Sequence, residues 1–373
     1  MPGYAINAAG RRRSGSWRFI AKALGVGFSL AVGTVANAGG LPADLGSRLT
    51  QGYIAPAMRD FQRSADQLHA SLQPWCAAPS GQGVKQIEEK FKGVALAWSG
   101  IEFLRFGPLV AEHRFERAYF WPDPRGLTMR QTQSLLADPA GIPDAPALSK
   151  YSVALQGLPA LEYVLYRPKG LLASQSDESF APACAYAVAV SGNLAAIGAQ
   201  LASAWGEGGD YAQLFSQPSP ANSLYRSTDE VANEAIKALS AGLQFARDAK
   251  LLPVLGDDIG EAKYKRAPFW RSGLTAPSMA AQVDGLLRFY QAGGYRYSVD
   301  EDWIDHSVRD ELTRVRENFA SIDANIEQLG SSEETYRRFK LGALLLKNAK
   351  SLVDENLAPA LGVRIGFNAL DGD

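Results

Sequence analysis

The chain has 373 residues, 46% of them hydrophobic and 21% charged, which is enough apolar content for a sizeable core and excludes a disordered or low-complexity chain. Its formal net charge of −1 lacks the concentrated positive charge that nucleic-acid binding needs. Two cysteines, Cys76 and Cys184, are too few for a multi-thiolate zinc or iron–sulfur site.

Residues 1–38 have the three parts of a secretory signal: a basic stretch with Arg11, Arg12, Arg13, Arg18 and Lys22, an apolar run from Ala23 to Val35, and Ala36-Asn37-Ala38 as a cleavage site. Cleavage after Ala38 is expected, delivering a periplasmic protein with no transmembrane anchor. The leader holds five basic residues and no acid, so the remainder carries a net charge of −6. In an oxidising compartment the two thiols are expected to form a Cys76–Cys184 bridge.

The rest of the chain reads as helices, because apolar residues recur at three- and four-residue spacing and strand-like alternation is scarce. Helices are predicted over 45–72 and 86–106. Glycine and proline then cluster at 107–108, 121–126 and 138–146, a loop-rich region where function is expected to concentrate. Helical patterning returns over 152–166, 181–205, 227–251, 278–293, 298–329 and 332–357. Two starts carry capping boxes, Ser298-x-x-Glu301 and Ser331-x-x-Glu334. The sequence Gly206-Glu-Gly-Gly-Asp210 marks the best boundary. The expected fold is all-α, two packed bundles of four-helix type, at 39–209 and 210–373.

One internal similarity carries chemistry. Trp98-Ser-Gly-Ile-Glu102-Phe-Leu-Arg-Phe106 and Leu158-Pro-Ala-Leu-Glu162-Tyr-Val-Leu-Tyr166 align without a gap, 60 residues apart. Each places one carboxylate in an apolar, aromatic helix, where it must be paired, protonated or bound to a cation.

These segments resemble the imelysin-like family. The resemblance rests on Phe103-Leu-Arg-Phe-Gly-Pro108, Phe120-Trp-Pro-Asp-Pro124, Gln156-Gly-Leu-Pro-Ala-Leu-Glu-Tyr163, Ala267-Pro-Phe-Trp-Arg-Ser-Gly-Leu274 and the C-terminal Leu361–Asp373 stretch. It implies two helical bundles side by side with the motif residues near their interface, and a family classed as metallopeptidases and linked to bacterial iron uptake. The family's G-x-H-x-x-E signature corresponds here to Gly157-Leu-Pro159-Ala-Leu-Glu162. Proline has no lone pair to give a metal, so the ligand on which peptidase activity would lean is absent. Pro159 also fits the first turn of a helix.

Three histidines are present, His69, His113 and His306, none in an H-E-x-x-H pair. His113-Arg-Phe-Glu116, and His306 between Asp302 and Asp310, read as solvated helix faces more readily than as metal sites. The residues expected in a ligand cleft are Glu102, Arg105, Trp121, Asp123, Glu162, Arg271 and Ser272, with Glu102 and Glu162 as the candidate metal ligands. Two carboxylates do not make a metal site. The alternative is a pair of buried ion pairs, Arg105 serving Glu102 and Arg271 serving Glu162. The Asp371-Gly372-Asp373 terminus reads equally as an ion site or a solvated tail. Nucleophile elbows, Walker loops and dinucleotide fingerprints are absent.

The leading expectation is an exported binding or accessory protein, non-enzymatic or weakly enzymatic, associated with iron or other metal uptake. Its candidate cofactor is iron or another divalent metal, and its candidate partners are that ion or metal-uptake proteins. A metallopeptidase using Glu162, and a structural or partner-binding envelope protein, are the alternatives.

Overall fold

Apolar periodicity becomes helix almost throughout the computed structural model, which describes residues 40–363 apart from 176, 177 and 324. The expected leader, its cleavage site and the Asp371–Asp373 terminus lie outside the described residues. The chain enters through α1 (Leu45–Leu49), a π-helical turn (Thr50–Ile54) and α2 (Ala55–Ala77), which follow one another directly, and continues into α3 (Gly81–Ile101). Short helices α4 (Arg114–Ala118), α5 (Leu127–Leu136) and α6 (Ala145–Leu148) occupy the glycine- and proline-rich stretch. Next come α7 (Gly157–Tyr166), the long α8 (Phe180–Trp205), α9 (Asp210–Ser216) and α10 (Thr228–Gln244). A π-helical segment (Phe245–Leu251) extends α10 into α11 (Leu252–Leu255). The last helices are α12 (Thr275–Gly293), α13 (Trp303–Ala320), α14 (Glu333–Leu352) and α15 (Ala358–Ala360).

Packing partners fall into two sets. In the first, α2 lies along α8 and α3, and α6 and α7 cover α8; in the second, α12 packs on α13, α13 on α14, and α14 on α10. The sets meet where α3 packs on α12, and one apolar core runs through both, from Leu45 to Val363. The boundary expected at 209 falls in the turn between α8 and α9. Helix α8 is long and apolar enough to cross a membrane by length and composition, but α2, α6 and α7 cover it, so it serves as a core helix. Small residues let it come close: a Cβ at Gly198 would lie 2.8 Å from the Cα of Gln62 on α2. The Cys76–Cys184 bridge is present, joining the end of α2 to the start of α8 with a Cα separation of 5.8 Å.

Helix starts differ in detail from the sequence expectation. Ser227 caps α10 through the Glu230 N–H, but α14 is capped by Ser332, which accepts from Thr335, and not by Ser331. Ser298 does donate to Glu301, at 2.7 Å, yet α13 begins later, at Trp303. The helix expected over 152–166 is divided by extended backbone at Gln156, so α7 starts at Gly157. Gly157 has φ +77°, and a Cβ there would lie 2.3 Å from the Ala118 carbonyl oxygen. Only glycine lets the start of α7 sit this closely against the end of α4.

Candidate functional site

Three stretches build one cleft: the proline-fixed loop after α4 with the start of α5, the first two turns of α7, and the chain from the π-helical segment at Phe245–Leu251 through Arg271. The cleft has a volume of about 580 Å³, within the range of small-molecule sites. Trp121, Pro122, Asp123 and Pro124 form one wall, with the Trp121–Pro122 peptide in the cis form. Pro159, Glu162 and Tyr163 come from α7, and Asp248, Lys265, Arg266, Trp270 and Arg271 close the opposite side. Pro159 and Glu162 share the wall because residues three apart lie on one helix face.

Glu162 is buried. Its Oε1 accepts from the Ser272 backbone N–H at 2.9 Å and from the Ser272 hydroxyl at 2.8 Å. Burial raises its pKa above the ordinary carboxyl range, while the Ser272 bonds and the Arg271 charge oppose that rise. Ser272 is presented by a tight turn in which Phe269, not a glycine, adopts φ 53°. This left-handed conformation is costly for an aromatic residue. Phe269 is held there by stacking on Tyr119 with centroids 5.4 Å apart, and by its carbonyl accepting from Leu274 N–H at 3.0 Å.

Arg271 was expected to pair directly with Glu162, but the residue that bonds Glu162 through its side chain is Ser272. The Arg271 guanidinium lies over Trp270, 4.3 Å from the ring centroid, and 5.1 Å from that of Tyr163. Burial lowers its pKa and the nearby Glu162 charge raises it. Asp123 spends its carboxylate on α5, accepting from the N–H groups of Leu127 and Thr128 at 2.8 Å each. Asp248 pairs with Arg247.

The structure does not bring Glu102 and Arg105 to this cleft. Glu102 ends α3 in the core with no exposed surface, and its partner is Lys250, equally enclosed, instead of the expected Arg105. Lys250 also donates to Gln282 Oε1 at 3.1 Å, and Gln282 donates to the Gly242 carbonyl. Burial pushes the Lys250 pKa down and the Glu102 charge counteracts it. Arg105 turns instead to two aromatic rings, with its Cζ 4.0 Å from the Phe115 centroid and 3.8 Å from that of Phe245. The reason is local: the chain leaves helical geometry just after Glu102, so Arg105 is not one helical turn further on the same face. Lys250 was not found from sequence, because Arg247-Asp-Ala-Lys250 looks like a solvated charged face. The π-helical register turns Lys250 into the core while Asp248 reaches the cleft.

Of the histidines, His113 is exposed, with Glu116 3.9 Å away, and His306 is also exposed. His69 is 3.0 Å from the Ser191 hydroxyl. None approaches the cleft wall.

The Imelysin (peptidase M75) family matches residues 51–353. The chain belongs to this imelysin family. Among solved structures it is similar to an imelysin-like protein from Psychrobacter arcticum 273-4, at 21% identity and TM-score 0.71, covering 88% of this chain and 99% of that one. It is also similar to a protein from Parabacteroides distasonis ATCC 8503 named as an iron-regulated protein A precursor, at 12% identity and TM-score 0.68, covering 86% and 97%. No curated protein sequence matches.

A metal implied by the imelysin family does not fit the residues of this cleft. Pro159 stands where the family motif has its histidine, and the carboxylates of Glu162, Asp123 and Asp248 already have protein partners. Among the described residues no group of three or more His, Cys, Asp and Glu side chains is arranged to hold an ion. The same geometry bears on Glu102, whose carboxylate takes the Lys250 ammonium where a metal would have to sit.

Proposed function

We propose that this chain is an exported, iron-associated imelysin-family protein that uses the cleft beside Glu162 to bind a small ligand, with the cleft lying at the junction of two bundles. The observation that carries this reading is a cleft of about 580 Å³ that keeps the motif glutamate in its wall and puts Pro159 in place of the motif histidine. A wall of tryptophan, tyrosine and proline with a few polar groups suits binding and orientation. With Pro159 in place of the motif histidine, its side chains lack the ligand that hydrolysis by a metal-activated water would lean on. The Cys76–Cys184 bridge supports export, since disulfides persist in oxidising compartments. The association with iron is drawn from the family and from the name of the Parabacteroides relative.

The test is proteolysis of a peptide library by the purified exported protein, with zinc, iron or calcium added. No cleavage is expected. Metal-dependent cleavage that Glu162→Gln abolishes, in a variant that still melts normally, would replace this reading with the metallopeptidase one. Mass spectrometry of the same preparation is expected to give a chain beginning at Gly39 with no alkylatable thiol. A retained Met1 or two free thiols would overturn the export claim.

A further inference from the structure

We propose that the cleft takes a small organic oxyanion, a carboxylate carried on a flat apolar body, and not a bare metal ion. The proposal rests on the reading that the cleft is a binding site, and adds the chemistry of its occupant.

The charges of the cleft are unequally engaged. Its three carboxylates each have partners within the protein: Asp123 caps α5, Asp248 pairs with Arg247, and Glu162 accepts from Ser272. Its three cations, Lys265, Arg266 and Arg271, have no side-chain hydrogen bond or ion pair among the described residues. A ligand entering this space therefore meets cations that make no side-chain hydrogen bond of their own, whereas each carboxylate already accepts from the protein through at least one oxygen. A bare cation would face the reverse of what it needs.

Arg271 is the best-formed part of the site. Its guanidinium is half-buried, with Cζ over the Trp270 ring at 4.3 Å and 5.1 Å from the Tyr163 centroid, so these rings restrict its motion before a ligand arrives. A guanidinium restricted in this way offers a fork of parallel N–H donors matching the two oxygens of a carboxylate, and less rotamer entropy remains to be lost on binding. Lys265 and Arg266 sit on the exposed rim, where they add attraction but less geometry. Trp121, Pro122, Pro124 and Met129 supply the apolar wall. That combination selects a flat body over a small hydrated anion, which would leave the wall unfilled.

Calorimetric titration of the exported full chain tests this with four probes: phthalate, inorganic phosphate, benzamidine and ferric ion alone. Phthalate is expected to bind, with affinity reduced by salt and at least tenfold weaker in Arg271→Met, a variant expected to keep its melt. Arg271→Lys should recover only part of the loss, because it restores charge without the stacked fork. Phosphate binding without phthalate, preference for benzamidine or ferric ion, or phthalate affinity unchanged in Arg271→Met would each overturn the oxyanion proposal and leave the cleft a binding site. Silence from all four probes would overturn the proposal together with the binding-site reading.

Discussion

Glu102 and Glu162 sit in segments that align residue for residue, yet the fold uses them differently. Glu102 lies at the C-terminal end of α3, where the helix dipole is unfavourable to a negative charge, and it is sealed in the core. The equally enclosed Lys250 side chain meets it there. Glu162 lies inside α7, reaches the wall of a cleft, and is met by the N–H and O–H of Ser272 with Arg271 nearby. A similar local pattern thus gives a structural ion pair in one place and a binding-site wall in the other. The second partner, from a distant stretch of chain, decides which.

The sharpest way to separate the two is to remove their partners. Lys250→Met strands a fully enclosed carboxylate and is expected to destabilise by about 3–5 kcal/mol in urea unfolding. Pairing it with Glu102→Leu should recover most of that loss, because two apolar groups replace both charges. Failure of the double variant to recover would mean that Glu102 has a further partner.

Loss of the Cys76–Cys184 bridge, which spans 108 residues, is expected to cost about 2–5 kcal/mol. It serves as a control, since it should lower stability without discriminating between the two glutamates. A serine pair at these positions that left the melt unchanged would show that the bridge constrains little of the unfolded chain.

Asp123→Ala removes both acceptors at the start of α5 and is expected to cost about 1–2 kcal/mol. Asp123→Asn should recover part of this, because one amide oxygen still accepts. An Asp123→Ala melt equal to the parent's would undo the argument that this carboxylate is spent on the helix and unavailable to a ligand.

Glu162→Gln is expected to have the smallest effect on stability, within about 1 kcal/mol at neutral pH, because the amide oxygen can still accept from Ser272. Its signature lies in pH dependence. The native pKa of Glu162 is raised, so the folded state holds its proton over a range where the unfolded chain has released it. The contribution of Glu162 is therefore largest below the ordinary carboxyl pKa and is lost as pH rises through the native value. The variant should lack that decline in urea melts taken from acid to neutral pH. An identical slope in parent and variant would place the titration elsewhere.

The helical class was legible because bundle helices must show an apolar stripe every three or four residues, and the long helices from α2 to α14 do. Helix ends were less legible. Ser331 and Ser332 are equally good caps by residue type, and only the position of the Thr335 N–H separates them. At the site, Trp121, Asp123, Glu162 and Arg271 were singled out from sequence and do share the cleft, with Ser272 bonded to its glutamate. Glu102 and Arg105 were grouped with them because the two aligned segments look equivalent. Sequence shows nothing of the charge that arrives from the π-helical segment. In Lys263-Tyr-Lys-Arg266, Lys265 and Arg266 resemble ordinary surface cations, and only the structure places them on the cleft with no side-chain hydrogen bond or ion pair among the described residues.

The division of labour between the two glutamates is tested most directly by combining unfolding and binding in two variants, Glu102→Gln and Arg271→Met. Urea melts give the stability of each, and phthalate titration under native conditions gives the affinity of the folded fraction. The expected outcome is a crossed pattern, in which Glu102→Gln loses several kcal/mol of stability and binds as the parent does, while Arg271→Met melts as the parent does and binds at least tenfold more weakly. Parallel losses of stability and binding in both variants would contradict it, since they would make the core pair and the cleft one unit.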